Sequence, residues 1–320
     1  MSNMPNRDDL RKKIDQEIAK GSKPKRQPQR SQNRPRPDSK PYINTTNPKP
    51  NDKPNQKQRV APGKRPPMGI MTTTLWEYPS QHYDSQLGTM QGNKDYIGAT
   101  PSWVIYQLLK RYTKVHDTVI DPMCGSGTTL DVCKDLNRKG IGYDLNPQRP
   151  DITLIDARKL PLDNNSVDFA FIDPPYSTHV DYSDDDRCIG KLDAGQAPAR
   201  NEQIMGQAYY QAMDSVLSEL YRVLKPGKFL GLYVSDSWKK AKGKSGDQAG
   251  TFMPIGFELF SMMSQAFEPV DIICVVRHNN KLQRGNWHKA AEEENFFLRG
   301  FNYLFIMKKP TSRQYPNQLQ

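Results

Sequence analysis

Val167-Asp168-Phe169-Ala170-Phe171-Ile172 followed by Asp173-Pro174-Pro175-Tyr176 is the stretch from which the fold is read. The first six residues have the length and residue types of a buried strand, broken only by Asp168. The two prolines then end it, since neither can donate to a sheet ladder and each fixes its own φ. The turn leaves a carboxylate and an aromatic ring at the strand's C-terminal end, the edge where open α/β sheets bind ligands. A carboxylate beside a rigid backbone carbonyl can accept both hydrogens of an exocyclic amino group, and a tyrosine face can stack on a planar ring. A strand ending in a Pro-rich turn is the plainer reading of the same residues.

A second strand-turn-helix lies upstream. Thr118 to Asp121 reads as a strand, Cys124-Gly125-Ser126-Gly127 as a glycine-rich turn, and Thr128-Thr129 as the start of a helix. The glycines let backbone approach a ligand, and the helix N-terminus behind them favours negative charge. No Gly-Lys-Ser/Thr follows, which excludes a P-loop, and Leu130 breaks the dinucleotide pattern. Gly140 to Asp144 and Ile152 to Ile155 read as the next two strands, ending at Asp144 and at Asp156-Ala157. An acid at a second strand end can grip a ribose diol. Any one of Asp121, Asp144 and Asp156 would serve as a cap or turn residue; three at successive strand ends beside a glycine loop suggest a ligand site. Thr100 is expected to cap a helix beginning at Pro101, with Val104, Ile105, Leu108 and Leu109 at helical spacing.

This ordered series resembles that of S-adenosylmethionine-dependent DNA amino methyltransferases, which act on adenine N6 or cytosine N4. The similarity runs from about Leu75 to Pro310, with the cofactor motif preceding the catalytic one. It implies an α/β, class I (Rossmann-like) doubly wound and mostly parallel sheet closed by a C-terminal antiparallel strand pair. It also implies that Thr100, Pro101, Cys124, Gly125, Ser126 and Gly127 lie at the methionine end of S-adenosylmethionine. Asp121 belongs to the same cofactor-binding set, Asp144 would hold the ribose, and Asp156 with Ala157 the adenine edge. Asp173, Pro174 and Tyr176 would be catalytic. Cytosine C5 chemistry would need a cysteine nucleophile, typically after proline, and none of the four cysteines follows one. An RNA base methyltransferase, for example on tRNA guanine N2, and a non-catalytic cofactor-fold adaptor are the alternatives. DNA is the expected partner, with RNA, a restriction nuclease or a recognition subunit as further candidates.

The rest of the chain is read for organisation. Residues 1–70 carry 18 Lys and Arg against 6 Asp and Glu, so the formal +11 of the 320-residue chain resides there. With 12 of the 26 prolines, that segment is expected to be a disordered basic arm able to neutralise phosphates. A short helix over Asp8 to Lys20 is the one ordered element its pattern suggests. The methyltransferase domain is expected over 71–310 and a tail over 311–320. Thr74 to Pro79 and His82-Tyr83 read as a non-periodic aromatic strap. Lys225-Pro226-Gly227 reads as a turn into a strand over Phe229 to Val234. Further strands are expected over Val270 to Val276 and Phe301 to Met307, with polar inserts over 177–205, 239–250 and 277–294 left to read bases. The acidic run Asp184-Asp185-Asp186 reads as solvated loop rather than a metal site. The cysteines show no zinc-ligand spacing and read as reduced thiols of a cytoplasmic protein, with no metal and no membrane segment expected.

Overall fold

The computed structural model describes residues 65–93, 95–178, 180–198, 204–239, 251–278, 282, 284–293 and 295–312. The arm up to residue 64, the helix read over 8–20, residues 240–250 of the insert over 239–250 and the tail from 313 lie outside the described residues. The elements follow in chain order. They are β1 (Leu75–Trp76), α1 (Ser102–Tyr112), β2 (Thr118–Asp121), α2 (Thr128–Asp135), β3 (Lys139–Asp144), β4 (Ile152–Leu154) and β5 (Val167–Ile172). After these come α3 (Gln207–Val223), β6 (Leu224–Val234), β7 (Ser237–Lys239), β8 (Thr251–Met253) and α4 (Ile255–Ser264). The last are β9 (Glu268–Val276), α5 (Gly285–Glu293) and β10 (Phe301–Lys308).

Eight strands form one sheet in the order β1-β9-β10-β6-β5-β2-β3-β4, and β7 pairs with β8 in a separate hairpin. β2, β3, β4, β5 and β6 are parallel to their neighbours among themselves, while β10 runs antiparallel to both β6 and β9. The doubly wound, mostly parallel sheet and its C-terminal antiparallel pair are therefore as expected. β5 lies at the centre and is buried along its whole length. Its alternation divides the core into two layers. Phe169 and Phe171 pack with Val104, Ile105 and Leu108 of α1, whereas Ala170 and Ile172 pack with Met213, Val216 and Leu217 of α3. Full burial of each such side chain contributes about 1.5–3 kcal/mol.

Three expectations change. The 74–79 strap contains β1, a two-residue edge strand that pairs in parallel with β9 through Leu75 and Cys274. Lys225-Pro226-Gly227 does not precede its strand but lies inside β6, and the register with β5 shifts between Val167 and Phe169. That irregularity brings Lys225 and Lys228 to Asp168, at 2.8 and 3.2 Å, and so accounts for the one charge in β5. Finally, the insert over 277–294 carries α5. Among the described residues no helix is long and apolar enough to cross a membrane.

Lys309 fastens the edge of the sheet opposite the strand ends. Only 6% exposed, its ammonium donates to the carbonyls of Tyr221 and Leu224 and to Asn165 Oδ1, at 2.6–2.7 Å, where α3 passes into β6. Burial lowers its pKa. Lys309→Met should therefore lower the unfolding free energy by about 2–3 kcal/mol, because two buried carbonyls lose their charged donor. Urea unfolding of the variant checks this, with an unchanged midpoint as the contrary result.

Candidate active site

The strand ends gather the site. At the end of β2, Asp121 is 3% exposed and turned inward: one oxygen accepts from Thr129 Oγ1 at 2.5 Å, the other from the Met123 N–H at 3.1 Å. It ties the glycine-rich turn to the first turn of α2, and burial pushes its carboxyl up to about 7. Gly127, at φ 78, is the N-cap of α2, where a side chain would be strained. The Arg149 guanidinium lies against it, so closely that an added Cβ would come within 2.5 Å. Arg149 is held there by Asp131 and Asp151, at 2.6 and 2.8 Å.

Asp144, ending β3, accepts from the Gly125 N–H at 2.8 Å and from the Asn146 N–H at 2.8 Å. It therefore spans from its own strand to the glycine-rich turn. Each carboxylate oxygen keeps a second lone pair for a further donor. Asp156 lies one residue past Ile155 and forms an ion pair with Arg158 at 2.7 Å. Burial raises its pKa, but the Arg158 guanidinium and N–H outweigh this and hold it below the usual carboxylate range.

Asp173, past the end of β5, takes two hydroxyl donors: Thr100 Oγ1 to Oδ2 at 2.5 Å and the Tyr176 phenol to Oδ1 at 2.7 Å. Burial pushes its carboxyl up to about 7 against the opposing effect of the two hydroxyls and Arg277. Tyr176 in turn accepts from Asn302 Nδ2 at 3.1 Å. The turn is pinned from below by Tyr209 of α3, whose phenol donates to the Pro175 carbonyl at 2.8 Å. Thr100 is not the cap expected of it. Helix α1 begins at Ser102 with Pro101 as N-cap and no side-chain cap bond, and the Thr100 hydroxyl is spent on Asp173 instead.

Two cavities meet at Asp173. The smaller, about 70 Å³, lies between the ends of β3 and β4 and is lined by Met123, Asp144, Leu145, Ile155, Asp156, Ala157 and Ile189, among others. The larger cleft, about 920 Å³, opens past Thr100, Pro101, Asp121, Cys124, Gly125, Ser126 and Tyr176 toward Tyr233, Arg277, Trp287 and Asn302. Tyr96, Met123 and Tyr182 line both. Gly127 and Pro174, both named from the sequence, line neither. The small cavity is a largely apolar slot rimmed by the carboxylates of Asp144, Asp156 and Asp173, which can accept from the hydroxyl or amine donors of a ligand. Its neighbour Gly125 is covered by the Tyr96 ring, which an added Cβ would approach to 2.8 Å.

Sequence reasoning missed Tyr96, Tyr182, Tyr233, Arg277 and Asn302. Tyr96 and Tyr182 come from non-periodic segments with no pattern to single them out. Asn302 did carry a signal, as an amide followed by five consecutive aromatic or apolar residues, Tyr303 to Met307.

Residues 2–154, just under half the chain, match a family model described as DNA methylase. Over 105 residues the chain is 31% identical to the type II methyltransferase M.HpaI of Haemophilus parainfluenzae, covering 33% of this chain and 30% of that one. Over 82 residues it is 29% identical to the type II methyltransferase M1.MboII of Moraxella bovis, covering 26% of this chain and 32% of that one. The matched stretch thus spans less than a third of each relative's length. A solved SAM-dependent methyltransferase from Methanosarcina mazei covers 63% of this chain and 97% of its own, at 14% identity and a TM-score of 0.38. The stretch matched by the family model includes the glycine-rich turn and Asp144 and ends before Asp156 and Asp173. The sheet is doubly wound, mostly parallel and closed by a C-terminal antiparallel pair, as in the Rossmann-like fold class.

The charge on Asp173 should be visible in stability. Its folded pKa of about 7 lies above the ordinary 3.8, so the folded protein holds this proton more tightly than the unfolded chain. The resulting stabilisation is complete below about pH 4 and is lost as pH rises through about 7. An asparagine has no charge to bury. The Tm of Asp173→Asn relative to the unsubstituted protein should therefore be higher at pH 8 than at pH 5, by roughly 2–6 °C. A difference independent of pH in thermal melts would contradict the raised carboxyl.

Proposed function

We propose that this chain transfers a methyl group to the exocyclic amino nitrogen of a base in DNA, adenine N6 or cytosine N4. The observation that carries this reading is the position of Asp173: a half-buried carboxylate at the end of β5, where the small slot opens into the larger cleft. S-adenosylmethionine supplies an electrophilic methyl on a sulfonium. In this reading Asp144 holds its ribose and Asp156 with Ala157 meets the adenine edge. Thr100, Pro101 and the Cys124–Gly127 turn, tied down by Asp121, border its methionine end.

The amino nitrogen of adenine or cytosine is a poor nucleophile because its lone pair is delocalised into the ring. Asp173 accepts from it, which draws the lone pair onto nitrogen and aims it at the slot, while Pro174, which lines neither cavity, fixes the turn that presents the carboxylate. Tyr176 fixes the ring plane. Positioning and hydrogen bonds that strengthen in the transition state carry the acceleration. The phenol of Tyr176 does more than stack, since it donates to Asp173. Tyr176→Phe is therefore costlier here than a purely stacking role implies.

The ionised Asp173 is the stronger acceptor for the amine. The turnover rate should rise with pH along a limb centred near pH 7, the value to which burial pushes the carboxyl. Asp173→Ala should lower it by at least about 10³-fold while S-adenosylmethionine affinity stays within about threefold. Incubation of the protein with unmethylated DNA, then nuclease digestion and mass spectrometry for N6-methyladenine and N4-methylcytosine, tests the reading and names the base. Product on RNA alone, or full activity of Asp173→Ala, would overturn it.

The 71–310 domain carries this chemistry, and the basic arm is a tether. With the formal charge of the chain concentrated in residues 1–70, deletion of 1–67 should raise the DNA KM and flatten the dependence of log K on log salt. Each lost phosphate contact removes about 0.9 from that slope. Turnover at saturating DNA and the methylated sequence should stay the same. Paired salt titrations with sequencing of the modified sites check this; a changed target sequence would mean that the arm reads bases.

A further inference from the structure

Asn302 sits where an amide is costly. It is the second residue of β10, 4% exposed, on the same face as Leu304 and Ile306, which are buried against α1. An aliphatic side chain would suit such a position better. Nδ2 donates to the Tyr176 oxygen at 3.1 Å. Oδ1 is buried with no partner among the described residues, an arrangement that costs stability.

The chain of donors has one consistent direction. Asp173 Oδ1 and the Tyr176 oxygen are 2.7 Å apart, so a proton lies between them. An amide nitrogen can only donate. With Nδ2 directed at it, the Tyr176 oxygen must accept from Asn302 and give its own proton to Asp173. Turning the amide over would set Oδ1 against an oxygen whose proton is already committed. We propose that Asn302 is a positioning residue for Asp173: by donating to Tyr176 it holds that phenol's proton on the carboxylate and keeps Asp173 an ionised acceptor facing the target amine. This rests on the role given to Asp173 above and adds to it a residue contributed by β10, far along the chain.

The other groups facing Asp173 are Arg277 past β9, Tyr96 and Tyr182 from flanking loops, Tyr209 of α3, Tyr233 of β6 and Asp121 of β2. Arg277 is the one cation among them and favours the charged carboxyl; Asp121 opposes it. Asn302 brings no charge, so it acts through the direction of the hydrogen bond alone. That makes its removal separable from an electrostatic effect.

The test is a double-mutant cycle of Asn302→Leu and Tyr176→Phe in the full chain. Its readouts are kcat and KM for DNA methyl transfer across pH, Tm, and a 13C carboxyl titration of Asp173, with the resonance assigned by its loss in Asp173→Asn. Asn302→Leu should lower kcat about tenfold with KM little changed, the equivalent of one hydrogen bond. It should also move the Asp173 midpoint upward and leave Tm equal or higher, since an orphaned acceptor is removed. In the Tyr176→Phe background the same change should add nothing to kcat or to the midpoint. Additive effects, or an Asn302→Leu protein with unaltered rate and midpoint, would overturn the proposal. The carboxyl titration needs no substrate, so it judges the relay even if DNA proves not to be what the chain methylates.

Discussion

A carboxylate that must stay charged at the mouth of a buried strand is the constraint on which the rest of the site depends. Burial favours the protonated form of Asp173, and only hydrogen bonds to the charged form or nearby cations can offset that. The structure supplies two hydroxyls, from Thr100 and Tyr176, and the guanidinium of Arg277. Each comes from a different part of the chain, so the sheet has to be complete before Asp173 has its surroundings. Thr100 stands one residue before the N-cap Pro101, which has no side-chain acceptor to cap the first turn, and the Thr100 hydroxyl faces the carboxylate instead.

The four carboxylates at the strand ends show how environment separates groups of identical chemistry. Asp121 is closed over by Thr129 and the Met123 N–H and serves the turn. Asp144 links strand to turn through one backbone donor on each oxygen and still lines the slot. Asp156 is neutralised by Arg158, which keeps it ionised at the slot's far rim. Asp173 alone borders both cavities with a carboxyl near neutrality. Perturbed titration in a concave site is a signature of function when a specific geometry accompanies it, and Asp121 shows why geometry is needed: its carboxyl is shifted as far with its oxygens turned inward.

The sequence carried the parallel half of the fold well. β2, β3, β5 and the glycine-rich turn are continuous in sequence, and their periodicity and turn residues are local properties. The misplacements occurred where a tertiary partner overrides local preference. Two residues at 75–76 become a strand only because β9 presents an edge to them. Pro226 and Gly227 read as a turn, but Lys225 and Lys228 are drawn along β5 to Asp168, and the strand is stretched through them. Tyr96 lies over Gly125 from a segment without periodicity, and only the spatial neighbourhood identifies it. Asn302 was visible as a polar residue in an apolar strand, yet its meaning depends on a partner 126 positions away.

The insertion of β10 between β6 and β9 gives the two sides of the site different origins. Everything that lines the small slot, apart from Asp173, Pro175 and the 182–189 loop, comes from residues 96–157. The far wall of the large cleft comes from the ends of β6 and β9, the segment around α5 and the start of β10. Because β10 is antiparallel, its first residues, not its last, arrive at the ligand edge of the sheet. A strand running the other way would bring Met307 and Lys308 there and leave Asn302 at the opposite end. The reversed final strand thus delivers an amide donor to Tyr176, and the relay to Asp173 is a consequence of topology as much as of residue choice. It also means that substitutions in the last strands can alter the target side of the site while the slot, built from earlier strands, stays intact.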